Sequence, residues 1–282
     1  MPAATPAVFI GHGSPMNAID DNVFTRAWRN YGDHITRGQR SHLRTAELPG
    51  SSTATTVLPK AVLAISAHWD TRGFQVTANA APRTIHDYSG FPPELSAVQY
   101  LAPGSPAVAQ YVVNLLREFA APEPVVSTQA WGLDHGTWSV LKHVFPEANV
   151  PVVQLSIDTS KPASWHLEVG RIIGKVREQQ VLIVASGNIV HNLREINWSV
   201  DAAAHPACVR FHDYIVQAIV NGDDDALINY AKHPDAAYAV PTPEHFLPLL
   251  YAVGARRPGE APHIIVDGDV FSSLSMYSVS FG

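Results

Sequence analysis

The sequence of 282 residues has few of the features that would assign a chain to a secreted or membrane class. Its single cysteine cannot form an internal disulfide, which fits a reducing compartment. No apolar run approaches the length of about 18 residues that a membrane span needs, and no basic region precedes the apolar run at the N-terminus. We therefore expect a soluble cytoplasmic protein without a targeting peptide and without a membrane partner.

Charged side chains are also sparse, at 16% of the residues, while 46% are hydrophobic, which is typical of a globular chain. The net charge is -6 and the Lys and Arg residues form no long run, so the composition argues against a nucleic-acid partner. The pattern shows no internal repeat and no linker between two self-contained halves. We therefore expect one domain over residues 1–282.

Histidine is abundant, with 14 residues, and one of them ends the most informative segment of the chain. The stretch A-V-L-A-I-S-A-H-W-D, residues 61–70, is apolar in five of its first six positions and too short for an ordinary helix. It predicts a strand that is buried on both faces and delivers His68 at its carboxyl end. Open α/β sheets place their active sites at this edge.

Two further apolar segments repeat the arrangement. Residues 7–10 lead into a glycine-flanked His12, and residues 181–186 lead to His191. Because the carboxyl ends of parallel strands meet at one edge, we expect these imidazoles to converge with His68. Neutral imidazole is the commonest side-chain metal ligand, so convergence predicts a metal site.

His245 belongs to the candidate set through a different local pattern, T-P-E-H. The pattern predicts a helix with Thr242 as N-cap and Pro243 at its first position. The positive end of the helix dipole would then keep His245 neutral and able to bind a metal. Glu244 is expected to point away, as a surface carboxylate.

Strand and helix signals alternate along the chain, which predicts an α/β fold with a mixed central sheet flanked by helices. The predicted strands cover residues 8–10, 61–70, 75–79, 125–128, 152–157, 181–185, 264–270 and 273–281. The predicted helices cover residues 22–31, 105–119, 162–179, 205–220 and 224–232; one more follows from the run 131–138 and continues to about 145, and another begins at 243. The Ser-, Thr-, Gly- and Pro-rich stretch 37–60 predicts a mobile surface loop or an insertion.

Five ordered motifs connect this sequence to a known family. They are G-H-G-S-P-M-N, S-A-H-W, D-H-G-T-W, A-S-G-N-I-V-H-N-L and P-T-P-E-H-F-L-P-L. Together they resemble the 4,5-DOPA extradiol dioxygenase group of the class III (LigB-type) ring-cleaving dioxygenases. The resemblance extends from about residue 7 to the C-terminus, and it implies a LigB-like fold.

The resemblance implies a non-haem Fe(II) enzyme that opens a catechol ring with O2. His12, His68 and His245 match the metal ligands, His191 matches the catalytic histidine, and His135 matches a second histidine that faces the substrate. The implied reaction is 4,5-cleavage of L-DOPA or a related catechol to a muconate semialdehyde-type product. Much of the wider superfamily has a glutamate as third ligand, so an all-histidine site leaves Zn(II) as a second possible metal. An ordinary histidine pKa would suit His191 as a general base at neutral pH.

The loop T-I-H-D-Y-S-G-F-P offers two candidate substrate-binding residues, His86 and Tyr88, whose rings could border the pocket; packing within the loop is the alternative. The expected partners are a small catechol and O2, and the sequence indicates no oligomeric state. Two other functions are compatible with the histidines. One is a zinc hydrolase that uses the same cluster, and the other is a non-catalytic binding protein with the LigB fold.

Overall fold

Four parallel strands form the centre of the sheet in the computed structural model, which describes residues 4–38, 58–199 and 202–282. The strands are β1 (Ala7–Gly11), β2 (Ala61–Asp70), β3 (Gln75–Thr77), β4 (Val126–Thr128), β5 (Val152–Ile157), β6 (Val181–Gly187), β7 (Pro262–Val266), β8 (Asp269–Val270), β9 (Leu274–Ser275) and β10 (Ser278–Phe281). Eight of them form one sheet in the order β4-β3-β5-β2-β6-β1-β10-β7, and β8 and β9 form a separate hairpin. The neighbours β5, β2, β6 and β1 run parallel, whereas β10 is antiparallel to β1 and to β7, and β3 is antiparallel to β5. The predicted mixed sheet is confirmed.

Nine α-helices cover the sheet within the described ranges. They are α1 (Val23–Gly38), α2 (Pro93–Ser96), α3 (Pro106–Ala120), α4 (His135–Val144), α5 (Ala163–Ile173), α6 (Pro206–Asn221), α7 (Asp224–Ile228), α8 (Ala236–Ala239) and α9 (Leu247–Gly254). Among the described residues, no helix combines the length and the apolar character that crossing a bilayer would require.

Strand β2 is buried on both faces, as its continuous apolar sequence predicts. Leu63 and Ile65 pack on one side with α3 and α5, while Val62 and Ala64 pack on the other side with α1 and α4. Both faces of the parallel core are therefore covered by helices, which is the arrangement that parallel sheets require.

The register of the central strands places the candidate site. Gly11 pairs with Gly187 at the ends of β1 and β6, and Ser66 pairs with Ser186 on β2 and β6. The carboxyl ends of β1, β2 and β6 therefore lie side by side at one edge of the sheet.

The predicted helix boundaries are wrong at several places. The helix expected from Pro243 begins only at Leu247, because Pro243 instead starts a turn whose carbonyl accepts the N–H groups of Phe246 and Leu247. Thr242 is not an N-cap, since its hydroxyl donates to Glu244 Oε1 at 2.8 Å. The segments 162–179 and 224–232 each finish as short 3₁₀ turns, and α1 extends to Gly38.

The two predicted C-terminal strands are each divided. Residues 264–270 form β7 and β8, and residues 273–281 form β9 and β10. Gly268 has φ +154°, and the turn residues Phe271 and Ser272 have φ +55° and +67°, so the chain changes direction between the two sheets. Most of the predicted loop 37–60 lies outside the described residues.

Arg177 joins distant parts of the fold from a fully buried position. Its guanidinium donates to the carbonyl oxygens of Thr5 (2.6 Å), Ala255 (2.6 Å) and Phe281 (3.0 Å), and it forms a bidentate pair with Glu260 at 2.7 and 2.8 Å. A planar five-donor group fits this set of acceptors, whereas a lysine would leave several of them unpaired.

We expect Arg177→Met to lower the free energy of unfolding by about 3 kcal/mol, because the substitution leaves Glu260 and three buried carbonyls without their donor. Chemical denaturation measures the loss. Arg171→Met is the matched control: Arg171 pairs with Glu168 and Asp224 at a half-exposed surface position, so its loss should cost less than about 1 kcal/mol. Equal losses in the two variants would contradict the role given to Arg177.

Candidate metal centre

Three histidines from separate parts of the chain meet at the edge formed by β1, β2 and β6. His12 follows β1 directly, His68 lies near the end of β2, and His245 comes from the turn before α9. Their nearest ring nitrogens all lie within 4.8 Å of one another, and the Nε2 atoms of His12 and His68 are 3.1 Å apart. Three nitrogens bound to one ion at about 2.1 Å have a similar spacing.

The hydrogen bonds of His12 and His68 determine which nitrogens are free. Ser186 Oγ donates to the Gly136 carbonyl (2.6 Å), so it accepts the Nδ1–H of His12 (3.0 Å). His68 Nδ1 lies 3.3 Å from the carboxylate of Asp87, which only accepts. The Nε2 atoms therefore present lone pairs to each other at 3.1 Å, an arrangement that a cation between them stabilises. These residues fit a metal ion.

His245 is oriented in the same way. Its Nδ1 lies 3.2 Å from Glu244 Oε1, which leaves Nε2 for a metal. The expectation that Glu244 points away to the surface is wrong, because the turn at Pro243 directs its half-buried side chain to the adjacent ring. Metal-bound histidines commonly donate their second N–H to such an oxygen, which fixes the tautomer.

The three rings are neutral for a reason that differs from the prediction. Burial, followed by neighbouring imidazoles, lowers the pKa of His12 and His245 well below the usual value. Burial and then His135 lower the pKa of His68 to about 3. A helix N-terminus is not needed, since α9 begins after His245. Unprotonated rings are the form that binds metal.

His191 lies beside the three rings without joining their set. Its ring stacks on that of His245 with a centroid distance of 3.5 Å and an interplanar angle of 6°. Because the two rings are stacked face to face, their nitrogens lie in two parallel planes. The backbone N–H of His191 donates to the Ala239 carbonyl (2.9 Å), and His191 forms an isolated β-bridge with Leu274.

The pKa of His191 is not the ordinary one that the sequence led us to expect. Burial lowers it to about 4; the carboxylate of Glu244 opposes this shift, and His135 adds a smaller lowering contribution. The ring is therefore deprotonated at neutral pH and can accept a proton.

His135 lies on the other flank, at the first position of α4, where Asp134 is the N-cap. Its ring centroid is 3.9 Å from that of His68. Asp87 accepts its backbone N–H at 2.9 Å and lies 3.0 Å from its Nδ1. Burial alone would raise the pKa of Asp87, but His135 and His68 lower it to about 2, so the carboxylate is ionised.

The two predicted substrate-binding residues lie next along this flank. The Tyr88 ring makes an edge contact with His135 at 5.5 Å, and the His86 ring contacts Tyr88 and Trp138. Their polar atoms are used within the protein: Tyr88 Oη donates to the Leu95 carbonyl (3.1 Å) and His86 Nε2 to the Val98 carbonyl (2.9 Å). Contact of these two residues with a substrate stays a prediction.

Three residues of the site were missed by the sequence analysis: Asp87, Ser186 and Glu244. Ser186 had a signal, because it directly follows the predicted buried strand 181–185 next to two others that release histidines. Asp87 lies in an irregular loop, and its contacts depend on how that loop packs against α4, so no local pattern identifies it.

Comparisons with known proteins show the family to which the chain belongs. Residues 7–280 match the family described as the catalytic LigB subunit of aromatic ring-opening dioxygenase. The chain is 44% identical to a protein of Escherichia coli K12 named 4,5-DOPA dioxygenase extradiol, over 98% of this chain and 94% of that protein. It is 34% identical to a protein of the same name from Beta vulgaris, over 94% and 92%.

A solved structure extends the comparison to three dimensions. The crystal structure of an uncharacterized protein from Escherichia coli K12 superimposes with a TM-score of 0.79 at 41% sequence identity, covering 99% of this chain and 100% of the other. Family match, relatives and fold agree over nearly the whole length. The chain therefore belongs to the LigB family of aromatic ring-opening dioxygenases and is an extradiol ring-cleaving enzyme.

Proposed function

We propose that the protein cleaves the ring of L-DOPA or a related catechol at the 4,5-position, with O2 and an Fe(II) ion bound by His12, His68 and His245. The product is of the muconate semialdehyde type. One observation carries the proposal: three neutral imidazoles each place a ring nitrogen within 4.8 Å of the other two. The relatives named 4,5-DOPA dioxygenase extradiol support the substrate class.

A bound divalent ion would supply the chemistry that the side chains lack, by lowering the pKa of the catechol hydroxyls and providing an open position for O2. Three protein ligands leave such positions free. The carboxylates of Asp87 and Glu244, each next to a ligand histidine, offset the charge of a dication that has no carboxylate ligand. The same donors suit Zn(II), and we propose Fe(II) because the relatives are dioxygenases.

His191 is proposed as the general base. Its unprotonated ring faces the cluster from the side of His245 and can take the proton of a catechol hydroxyl. A ring with a pKa near 4 is a weak base, but an anionic substrate brought into contact raises that pKa. The lowered pKa therefore keeps the base free until substrate arrives.

His135 is proposed to donate a hydrogen bond to the substrate or to O2 from the opposite flank, next to His68. The ring of Tyr88 extends this flank by its edge contact with His135, and we propose that it packs against the aromatic substrate. His86 lies one ring further away and supports Tyr88.

Oxygen consumption separates this function from the zinc hydrolase. The protein is loaded with Fe(II) under anaerobic conditions, mixed with L-DOPA or a simple catechol, and then exposed to O2. We expect uptake of one O2 per ring opened, with a visible absorbance from the semialdehyde. Turnover without oxygen in the Zn(II)-loaded protein would favour the hydrolase, and no catechol-dependent uptake would contradict the proposal.

The proposed division between ligand and base predicts different losses in two variants. His68→Ala should lose the metal, whereas His191→Ala should keep near-normal metal content and lose at least about 100-fold in kcat. Elemental analysis and oxygen uptake measure the two quantities. His34→Ala, at an exposed position of α1, is the matched control and should change neither. A metal-free His191→Ala protein would show that this division is wrong.

Gly136 gives a test of the metal site that leaves every ligand in place. A Cβ at this position would lie 2.5 Å from Ser66 Oγ and 2.8 Å from Cδ2 of His68, so Gly136→Ala must displace the ligand ring. We expect metal affinity to fall by about tenfold or more, measured by competition with a chelator.

The control for this test is Gly174→Ala, whose Cβ would lie no closer than 3.3 Å to Ala255, far from the histidines. It should bind metal like the unmodified protein. If Gly136→Ala also keeps full metal affinity while remaining folded, His68 does not bind the metal in the geometry described.

A further inference from the structure

Asp87 contacts two histidines that have different proposed tasks. Its Oδ2 lies 3.3 Å from Nδ1 of His68, and its Oδ1 lies 3.0 Å from Nδ1 of His135 and accepts the backbone N–H of His135 at 2.9 Å. The side chain is 18% exposed, although the residue as a whole lies at the surface. One side chain therefore connects a proposed metal ligand to a residue proposed to face the substrate.

The loop that carries Asp87 is fixed immediately before it. Ile85 N donates to the Leu133 carbonyl (2.7 Å), Trp138 Nε1 donates to the Ile85 carbonyl (2.8 Å), and Thr84 forms a bridge with Leu133. These bonds join the loop to α4 and to the residues that precede it. Asp87 and the first turn of α4 therefore form one packed unit.

The two neighbours of Asp87 fix the loop on its other side. His86 and Tyr88 each donate to a backbone carbonyl in the segment that follows, at Val98 and Leu95. With both flanking side chains committed in this way, the Asp87 carboxylate has little freedom to turn away from the histidines. A pre-positioned group of this kind orients its partners at low entropic cost.

We infer that Asp87 is a positioning residue that aligns His68 for the metal and His135 for the substrate as a single unit. The inference rests on the proposed function. The carboxylate oxygen 3.3 Å from Nδ1 of His68 favours the tautomer whose Nε2 is free for a metal, and the contacts of Asp87 with the ring and backbone of His135 hold that ring beside His68. The Ser186 hydroxyl, the corresponding partner of His12, is uncharged and makes its other bond to a backbone carbonyl.

This role predicts two separable losses in Asp87→Asn. Metal affinity should fall because a partner of a ligand has changed, by about 10- to 100-fold. At saturating metal, kcat should still be about tenfold lower or more, with a smaller change in KM, because His135 is no longer aligned. A residue with a merely structural role would change stability but neither of these quantities.

The experiment compares the unmodified protein, Asp87→Asn and Asp87→Glu with Asp158→Asn as a matched control. Asp158 is a buried carboxylate that accepts backbone N–H bonds from Gly73 and Ser160. The metal-free proteins are titrated with Co(II) against a chelator, with the visible Co(II) absorption as signal. Thermal melts of the metal-free proteins report stability, and oxygen uptake at saturating Fe(II) reports turnover.

We expect Asp158→Asn to retain Co(II) affinity and spectrum, and Asp87→Asn to lose affinity and change the spectrum at comparable stability. If Asp87→Asn does not fold, Asp87→Glu replaces it, because the longer carboxylate keeps the charge and should bind Co(II) more weakly and with an altered spectrum. Unchanged Co(II) affinity and kcat in a folded Asp87 variant would overturn this inference and leave the proposed metal site standing. Failure of the unmodified protein to bind Co(II) would instead overturn the proposed metal site.

Discussion

The parallel pairing of β1, β6 and β2 is the constraint on which the site depends. These three strands lie next to one another, and their register brings Gly11 to Gly187 and Ser66 to Ser186 at a common edge. Because parallel strands expose their carboxyl ends together, His12 and His68 emerge at the same place although 55 residues separate them. The backbone N–H of His12 donates to the Gly187 carbonyl at 3.0 Å, which continues the strand pairing to the proposed ligand itself. A slip of one residue would turn each side chain to the other face.

Close approach of the backbone brings the third histidine to the proposed ligand set. Asn188, the residue after β6, donates its N–H to the His245 carbonyl at 2.8 Å, and a Cβ on Gly187 would collide with that same carbonyl. His245 is therefore positioned by its backbone contact with the residues at the end of β6. It is not positioned by a helix cap. Around this inner group, oxygen atoms of Ser186, Asp87 and Glu244 select the tautomer in which each Nε2 is free. Burial keeps the rings unprotonated, and two of the three outer groups carry the negative charge that a buried dication requires.

The parts of this architecture that follow from general rules were predictable from the sequence. The continuous apolar runs gave the bounds of β2 and β5 correctly, and the position of histidines just after such runs predicted their convergence. The assignment of His245 to the same group came from the resemblance to the LigB-type enzymes, and the structure brings it there by a turn instead of the expected helix. That error arose because the Thr242 hydroxyl has two possible partners, the backbone of a new helix turn or the Glu244 carboxylate, and only tertiary packing decides between them.

The contacts around the three histidines were also not predictable, because they too depend on tertiary packing. Asp87 acquires its role from the packing of an irregular loop on α4, and the pKa of His191 follows from burial, neither of which local sequence periodicity describes. A crystal structure of the protein loaded anaerobically with one equivalent of Fe(II), with anomalous data at the iron edge, tests the central claim most directly. The account predicts one iron peak within bonding distance of Nε2 of His12, His68 and His245 and outside bonding distance of His191. Iron bound by His191 in place of one of these three, or iron elsewhere in the protein, would contradict it.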